Sequence, residues 1–60
     1  MNLKALRKEA KVSQVTLSKQ LKTSQSYICR VETGVTNPSF EFIVRYLSAI
    51  GYHLEAIKDE

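Results

Sequence analysis

Side chains that can read nucleic-acid bases occur together near the middle of the chain. On a helix that turns about 100° per residue, Gln25, Ser26 and Arg30 share one side, whereas Ile28 and Val31 cluster on the opposite side. A Gln amide can pair bidentately with adenine, an Arg guanidinium with guanine, and a Ser hydroxyl with either base. This face therefore has the chemistry of base recognition, although an ordinary solvated helix face has the same composition.

The charge distribution favours an anionic partner at the first half of the chain. The 60 residues include nine Lys and Arg against six Asp and Glu, a net charge of +3. Residues 1–36 hold seven basic residues against two acidic ones, a net +5, and residues 37–60 hold two against four, a net −2. A polyanion should therefore meet the first half and leave the second half free for other contacts.

Few residues could support catalysis or bind a metal ion. Cys29 and His53 are the only Cys and His of the 60 residues, and no paired carboxylates, phosphate-binding loop or nucleophile motif is present. We therefore expect a binding protein and not an enzyme, with no catalytic residues, no cofactor and no metal. No apolar run approaches the roughly 18 residues of a membrane span, so we expect a cytoplasmic protein without a membrane partner.

Short apolar repeats predict four helices, over residues 2–10, 14–21 and 25–33 and from residue 40 to Gly51. Ser13, Ser24 and Ser39 stand where N-caps belong, and Gly34 stands where the third helix should end in the left-handed conformation. Only about three residues separate the second and third helices. Two short helices joined in this way have the geometry that lays the second helix into the DNA major groove.

The fourth helix carries two adjacent apolar stripes. The stripe predicted to face the core holds Phe40, Ile43, Val44, Leu47 and Ile50. A second stripe holds Phe42, Tyr46 and Ala49, and we expect one small core not to bury both stripes. The sequence thus predicts a homodimer whose interface includes Phe42, Tyr46, Tyr52 and Leu54, with one wide core-facing stripe as the alternative.

Residues 52–58 fit a strand or a helix. Tyr52, Leu54 and Ala56 alternate as in a strand, whereas Leu54 and Ile57 are also spaced as on a helix. The absence of a capping side chain directly after Gly51 favours the strand. Because such a strand has no second strand in its own chain, we expect it to pair with the same segment of another subunit.

The run of residues 13–34, followed by Asn37-Pro38-Ser39, resembles the Xre/Cro family of phage and bacterial repressors. The similarity covers residues 3 to about 51 and includes Arg7, the Ser-Gln start of the second helix and the Ile-x-x-Val-Glu-x-Gly stretch at 28–34. It implies an all-α, lambda-repressor-like bundle of four short helices with a helix-turn-helix. Residues 1–51 would form the DNA-binding domain, and residues 52–60 a C-terminal extension with a short dimerisation strand.

The resemblance also implies roles for individual residues. Gln14 would anchor a phosphate at the start of the second helix, whose dipole attracts anions. Arg7 and Glu32 would form a structural pair that joins the first helix to the end of the third. Tyr27 would lie either near the DNA backbone or at the margin of the core. The DNA-contacting residues implied in this way are Gln14, Gln25, Ser26, Tyr27, Arg30 and Thr33.

Two positions depart from the family pattern. Lys22 stands where the family often has Gly in the turn, so it must tolerate or alter the turn conformation. Val35 and Thr36 stand where the family often has Lys or Arg, so phosphate contacts from this loop should be weaker.

The function that the sequence predicts is sequence-specific binding of double-stranded DNA by a transcriptional repressor, acting as a homodimer on an inverted-repeat operator. One alternative is an antitoxin that represses its own promoter and also binds a protein toxin. Another is a protein-interaction module that keeps the fold, has lost DNA binding and binds a different protein partner.

Overall fold

Four short helices account for most of the described chain, which in this computed structural model comprises residues 2–52. The helices are α1 (Leu3–Glu9), α2 (Gln14–Leu21), α3 (Gln25–Thr33) and α4 (Phe40–Ala49). The predicted bounds of α2 and α3 are confirmed. Helix α1 is one residue shorter at each end than predicted, and α4 ends at Ala49 because Ile50 already leaves the helical conformation. The all-α bundle with a helix-turn-helix is therefore confirmed, and the proposed strand, from residue 53 onward, lies outside the described residues.

Each helix begins at a polar side chain that caps it. Ser13, Ser24 and Ser39 accept hydrogen bonds from the backbone N–H three residues later, at 3.0, 3.0 and 3.1 Å. Asn2 caps α1 in the same way through its Oδ1, at 3.0 Å. Such a bond satisfies one of the N–H groups that a helix leaves unpaired at its start. The three serine caps explain why the sequence alone located the beginnings of α2, α3 and α4.

The turn between α2 and α3 contains a left-handed residue that is not glycine. Lys22 has φ 57° and ψ 46°, and the N–H of Thr23 donates to the carbonyl oxygen of Ser18 at 2.9 Å. Gly34 ends α3 with φ 83°, a conformation that glycine adopts without steric cost. Lys22 thus keeps the turn that Gly usually supports, with the left-handed strain of about 1–2 kcal/mol that a Cβ brings.

The core lies where α2 packs against α3 and α4. Leu17, Ile28 and Tyr46 are fully buried, one from each of these helices. The buried apolar residues that surround them are Leu3, Leu21, Val31, Leu47 and Ile50. Val12 and Leu17, which flank the start of α2, both belong to this packing, as in the hydrophobic staple that often fixes the start of a helix.

The structure corrects the assignment of the two stripes on α4. Tyr46, predicted to face a second subunit, is 0% exposed, whereas Phe40, predicted to face the core, is 70% exposed. Phe40 is the first residue of α4 and extends beyond the packed part of the helix, while the Tyr46 hydroxyl donates to Glu32 inside the chain. The apolar residues of α4 after Phe40 therefore form one wide stripe that faces the core, which was the alternative interpretation. Tyr46 is buried in its own chain and cannot contact a second subunit.

The other residues predicted at the dimer interface have different environments. Phe42 is half-buried within its own chain, with its ring centroid 5.2 Å from that of Tyr27 and 6.4 Å from that of Tyr46, both edge-on. Tyr52 is 37% exposed, and its hydroxyl donates to Glu9 Oε1 at 3.3 Å. Leu54 lies outside the described residues.

Candidate nucleic-acid interface

Helix α3 presents a polar face to solvent and buries its opposite face. Gln25, Ser26 and Arg30 are exposed, and Ile28 and Val31 are buried, as the helical spacing predicts. Thr33 and Cys29 are exposed on the same helix. The side chains with base-reading chemistry are therefore accessible together on one rigid element.

Arg30 is ordered by its neighbours on α3. Its Nη1 donates to Ser26 Oγ at 2.9 Å, and its guanidinium carbon lies 5.7 Å from the ring centroid of Tyr27. Tyr27 itself is half-buried and packs against the core, so the core-margin interpretation describes it. Thr33 Oγ1 donates to the Arg30 carbonyl oxygen at 3.3 Å. Because a cation over an aromatic face is attracted to it, Tyr27 helps to hold the Arg30 side chain against α3.

Gln14, at the start of α2, connects the exposed face of α3 to the buried carboxylate of Glu32. Its Nε2 donates to Glu32 Oε1 at 2.9 Å, and its Oε1 accepts a hydrogen bond from Gln25 Nε2 at 3.4 Å. The sequence-based prediction placed Gln14 at the DNA backbone and gave it no partner in the protein. The structure gives it two, and its side-chain amide has one further N–H that can donate to a phosphate.

Glu32 is the centre of a buried polar cluster. Arg7 donates to both of its oxygens, from Nε to Oε2 at 2.6 Å and from Nη2 to Oε1 at 3.2 Å, and Arg7 Nη1 donates to the Val12 carbonyl oxygen at 2.8 Å. The side chains of Arg7 and Glu32 are 8% and 1% exposed. With the bond from Gln14, the carboxylate accepts three hydrogen bonds, and the Tyr46 hydroxyl, which donates to Oε2, adds a fourth. The predicted partners Arg7 and Glu32 thus lie in direct contact and join α1 to the end of α3.

The cluster favours the charged forms of Arg7 and Glu32 and the neutral hydroxyl of Tyr46. Burial alone raises the pKa of Glu32, but the hydrogen bonds from Arg7, Tyr46 and Gln14 together lower this pKa below its ordinary value. The hydrogen bond to Glu32 raises the pKa of Arg7. Burial, and then the hydrogen bond to the Glu32 carboxylate, raises the pKa of Tyr46. The carboxylate is therefore ionised at neutral pH and accepts hydrogen bonds only.

Two supporting residues were missed by the sequence-based reasoning. The sequence predicts Tyr46 at a dimer interface, although a buried Tyr usually has a hydrogen-bond partner for its hydroxyl and here finds it inside its own chain. Arg45 donates from Nη2 to the Leu21 carbonyl oxygen at 2.8 Å. This bond satisfies a carbonyl group at the C-terminal end of α2, where a cation is also favoured by the helix dipole.

The loop after Gly34 offers no cation to the DNA backbone, since Val35 and Thr36 occupy it and Val35 is 73% exposed.

Among residues 2–52 there is no cluster of three or more metal-ligating side chains and no cavity. No helix within the same residues has the length and apolar character needed to cross a membrane. The exposed polar face of α3 is thus the feature of the described chain with the clearest binding chemistry.

Comparisons with known proteins agree with this geometry. Residues 3–57 match a family model described as helix-turn-helix. The immunity repressor protein of Bacillus phage phi105 is 36% identical over 58 residues, which are 97% of this chain and 40% of that protein. The chain therefore spans about 40% of the length of this curated relative. No solved structure gives a significant match. With α2 and α3 arranged as described and nearly the whole chain matched, the protein belongs to the helix-turn-helix family, of the Xre/Cro type.

Proposed function

We propose that this protein is a sequence-specific DNA-binding transcriptional repressor that places α3 in the major groove. The observation that carries the proposal is the exposed face of Gln25, Ser26 and Arg30 on a helix whose other side is held in the core. Their amide, hydroxyl and guanidinium groups match the hydrogen-bonding edges of base pairs in the major groove. The similarity to a phage immunity repressor supports repression as the outcome of binding.

Contacts to phosphates would set the position of α3 on the duplex. Gln14 stands at the first residue of α2, where N–H groups of the first turn and the helix dipole favour an anion. The exposed hydroxyl of Thr33, once it turns away from the Arg30 carbonyl oxygen, is a second donor near the end of α3. Such contacts add affinity for all sequences, whereas the base-reading face adds preference for one. Repression would follow in the cytoplasm when the bound protein excludes RNA polymerase from the operator.

A homodimer is the assembly that we propose for specific binding. One reading helix contacts too few base pairs for a unique site, whereas a two-fold dimer reads two half-sites about 34 Å apart. Among the described residues, Phe40 and Tyr52 are large apolar side chains exposed in the second half of the chain, which carries a net −2 and should not compete for DNA. Tyr52 thus stays in the interface predicted from the sequence, and Phe40 takes the place of Tyr46 there.

Selection from a random double-stranded DNA library, followed by anisotropy titration of the enriched duplex and of a scrambled duplex, tests the proposal. We expect one enriched sequence with inverted-repeat symmetry, bound about 10³-fold or more tightly than the scrambled duplex at physiological salt. The affinity for both duplexes should fall as salt rises, because bound cations are released from the phosphates. A protein that binds no duplex even at low salt would contradict the proposed function.

A further inference from the structure

Two hydrogen bonds connect Gln25 to Glu32 through Gln14, and in both of them the donor lies on the side away from Glu32. An ionised carboxylate only accepts hydrogen bonds, so the amide group of Gln14 that faces Glu32 must be its NH2. The carbonyl oxygen of Gln14 then faces α3, and the group of Gln25 that meets it must also be an NH2. The orientation of both amides therefore follows from the acceptor-only carboxylate of Glu32.

The direction of this chain decides what Gln25 can offer to a base. With one N–H directed at Gln14, the Gln25 amide retains its carbonyl oxygen and a second N–H for a ligand. One acceptor beside one donor complements N6 and N7 of adenine in the major groove. If both amides were reversed, Gln25 would accept from Gln14 and present two N–H groups, which complement O6 and N7 of guanine.

The carboxylate is held in the orientation that this chain requires. Each Glu32 oxygen accepts two hydrogen bonds: Oε2 from Arg7 and Tyr46, and Oε1 from Arg7 and Gln14. Its side chain is 1% exposed, so water does not compete for Oε1. The interior of the protein thus keeps Oε1 directed at Gln14.

We infer that Glu32 is a specificity-determining positioning residue, which acts through Gln14 so that Gln25 prefers adenine to guanine at the base pair it contacts. The inference rests on the proposed function, since it assigns a base preference to the same reading face. It gives Glu32 a role beyond its pairing with Arg7: the acceptor-only carboxylate sets the donor and acceptor pattern on the DNA-facing surface.

The test uses the full chain and the duplex that the wild type enriches from the random library, with adenine or guanine at each position of the half-site. At the position where Gln25→Ala removes a base preference, we expect the wild type to favour adenine over guanine by about 5- to 150-fold. Glu32→Gln replaces an acceptor-only carboxylate by an amide with one NH2, so residue 32 no longer dictates which group of Gln14 it meets and both amides are free to reverse. The adenine preference of this variant should fall below about 2-fold or change to guanine.

Two variants keep a specificity role separate from a purely structural one. Arg45→Ala removes a hydrogen bond to the Leu21 carbonyl oxygen and lies outside the chain of contacts from Glu32 to Gln25, so it should retain the adenine preference even if it unfolds at a lower temperature. Gln14→Ala breaks the chain at its middle residue, leaves the Glu32 carboxylate and its bonds from Arg7 and Tyr46 in place, and should lose the preference. Circular dichroism shows whether Glu32→Gln folds. If it does not, Gln14→Ala still tests whether the amide chain sets the adenine preference.

The outcomes separate the inference from the proposed function. A wild type that enriches no sequence contradicts the function itself. A wild type that binds specifically, with an adenine-to-guanine ratio unchanged in folded Glu32→Gln or in Gln14→Ala, overturns the inference alone. The inference is also overturned if Gln25→Ala alters no base preference. If Glu32→Gln lowers the ratio in the wild-type background but not in the Gln25→Ala background, the two residues act through one chain of contacts.

Discussion

The hydroxyl of Tyr46, at the centre of α4, donates a hydrogen bond to Oε2 of Glu32, near the end of α3. The same hydroxyl oxygen lies 3.2 Å from the carbonyl oxygen of Leu3, at the start of α1. A single buried side chain thus approaches polar groups of two other helices, and Glu32 in turn contacts Gln14 on α2. All four helices meet around this carboxylate.

Tyr46→Phe should lower the free energy of unfolding by about 1.5–3 kcal/mol, the range for a hydrogen bond to a charged group. The change keeps the aromatic ring in its buried position and removes only the donor. Urea unfolding followed by circular dichroism measures the difference. Tyr52→Phe is the matched control, since its hydroxyl contacts Glu9 at an exposed position, and its unfolding midpoint should stay unchanged. Equal midpoints for the two variants would show that the Tyr46 hydroxyl contributes nothing.

The stability of the protein should depend on pH through Glu32. Folding lowers the pKa of this carboxyl below its ordinary value of 4.5, so its contribution is fully present above that pH. The contribution declines below pH 4.5 and is lost as the pH falls through the lower pKa of the folded state. Unfolding free energies of the wild type and Glu32→Gln, measured across this acid range, should therefore converge as the pH decreases. Parallel curves would mean that Glu32 binds protons equally in the folded and unfolded states.

Arg30→Ala should weaken binding to the selected duplex by about 1–3 kcal/mol and change binding to a scrambled duplex little, because Arg30 is placed to contact a base edge. Lys8→Ala is the control for charge, since it removes one exposed cation from α1. That control should reduce binding to both duplexes by a similar factor. Anisotropy titrations of the two variants provide the comparison, and a uniform loss for Arg30→Ala would assign this residue to the DNA backbone.

Lys22→Gly should raise the free energy of unfolding by up to about 1.5 kcal/mol. It removes left-handed strain of about 1–2 kcal/mol, and the greater freedom of Gly in the unfolded chain offsets about 0.4–1 kcal/mol of this gain. Lys19→Gly, in the helical part of α2, should instead lower stability by about 1 kcal/mol. Thermal unfolding distinguishes the two variants, and similar losses for both would contradict strain at Lys22.

Sedimentation equilibrium should detect a homodimer of the full chain at micromolar concentration. Phe40→Ala should shift this equilibrium toward monomer without lowering the melting temperature of the monomer, because Phe40 is exposed and outside the core. A truncation that ends at Gly51 tests the contribution of residues 52–60. A full chain that remains monomeric and binds one half-site as tightly as the inverted repeat would rule out the dimer.

Local sequence determined the helices that carry the proposed reading face. Ser13, Ser24 and Gly34 act on backbone groups within a few residues of themselves, so the beginnings of α2 and α3 and the end of α3 were predictable without knowledge of the packing. The division of α3 into buried and exposed faces was predictable for the same reason. When apolar residues recur at helical spacing, the helix has one rotation about its axis that removes most of their side chains from water.

Only the tertiary structure decided which aromatic side chain of α4 enters the core and what Gln14 contacts. The apolar stripe of α4 is wide enough to suit several rotations. Tyr46 is buried where its hydroxyl meets the carboxylate of Glu32, whereas Phe40 lies at the first residue of α4, beyond the packed part of the helix. Gln14 likewise meets Glu32 only once α2 and α3 have packed. Spacing along the chain cannot reveal such pairings, because they depend on which polar groups of distant segments reach the same buried position and satisfy one another there.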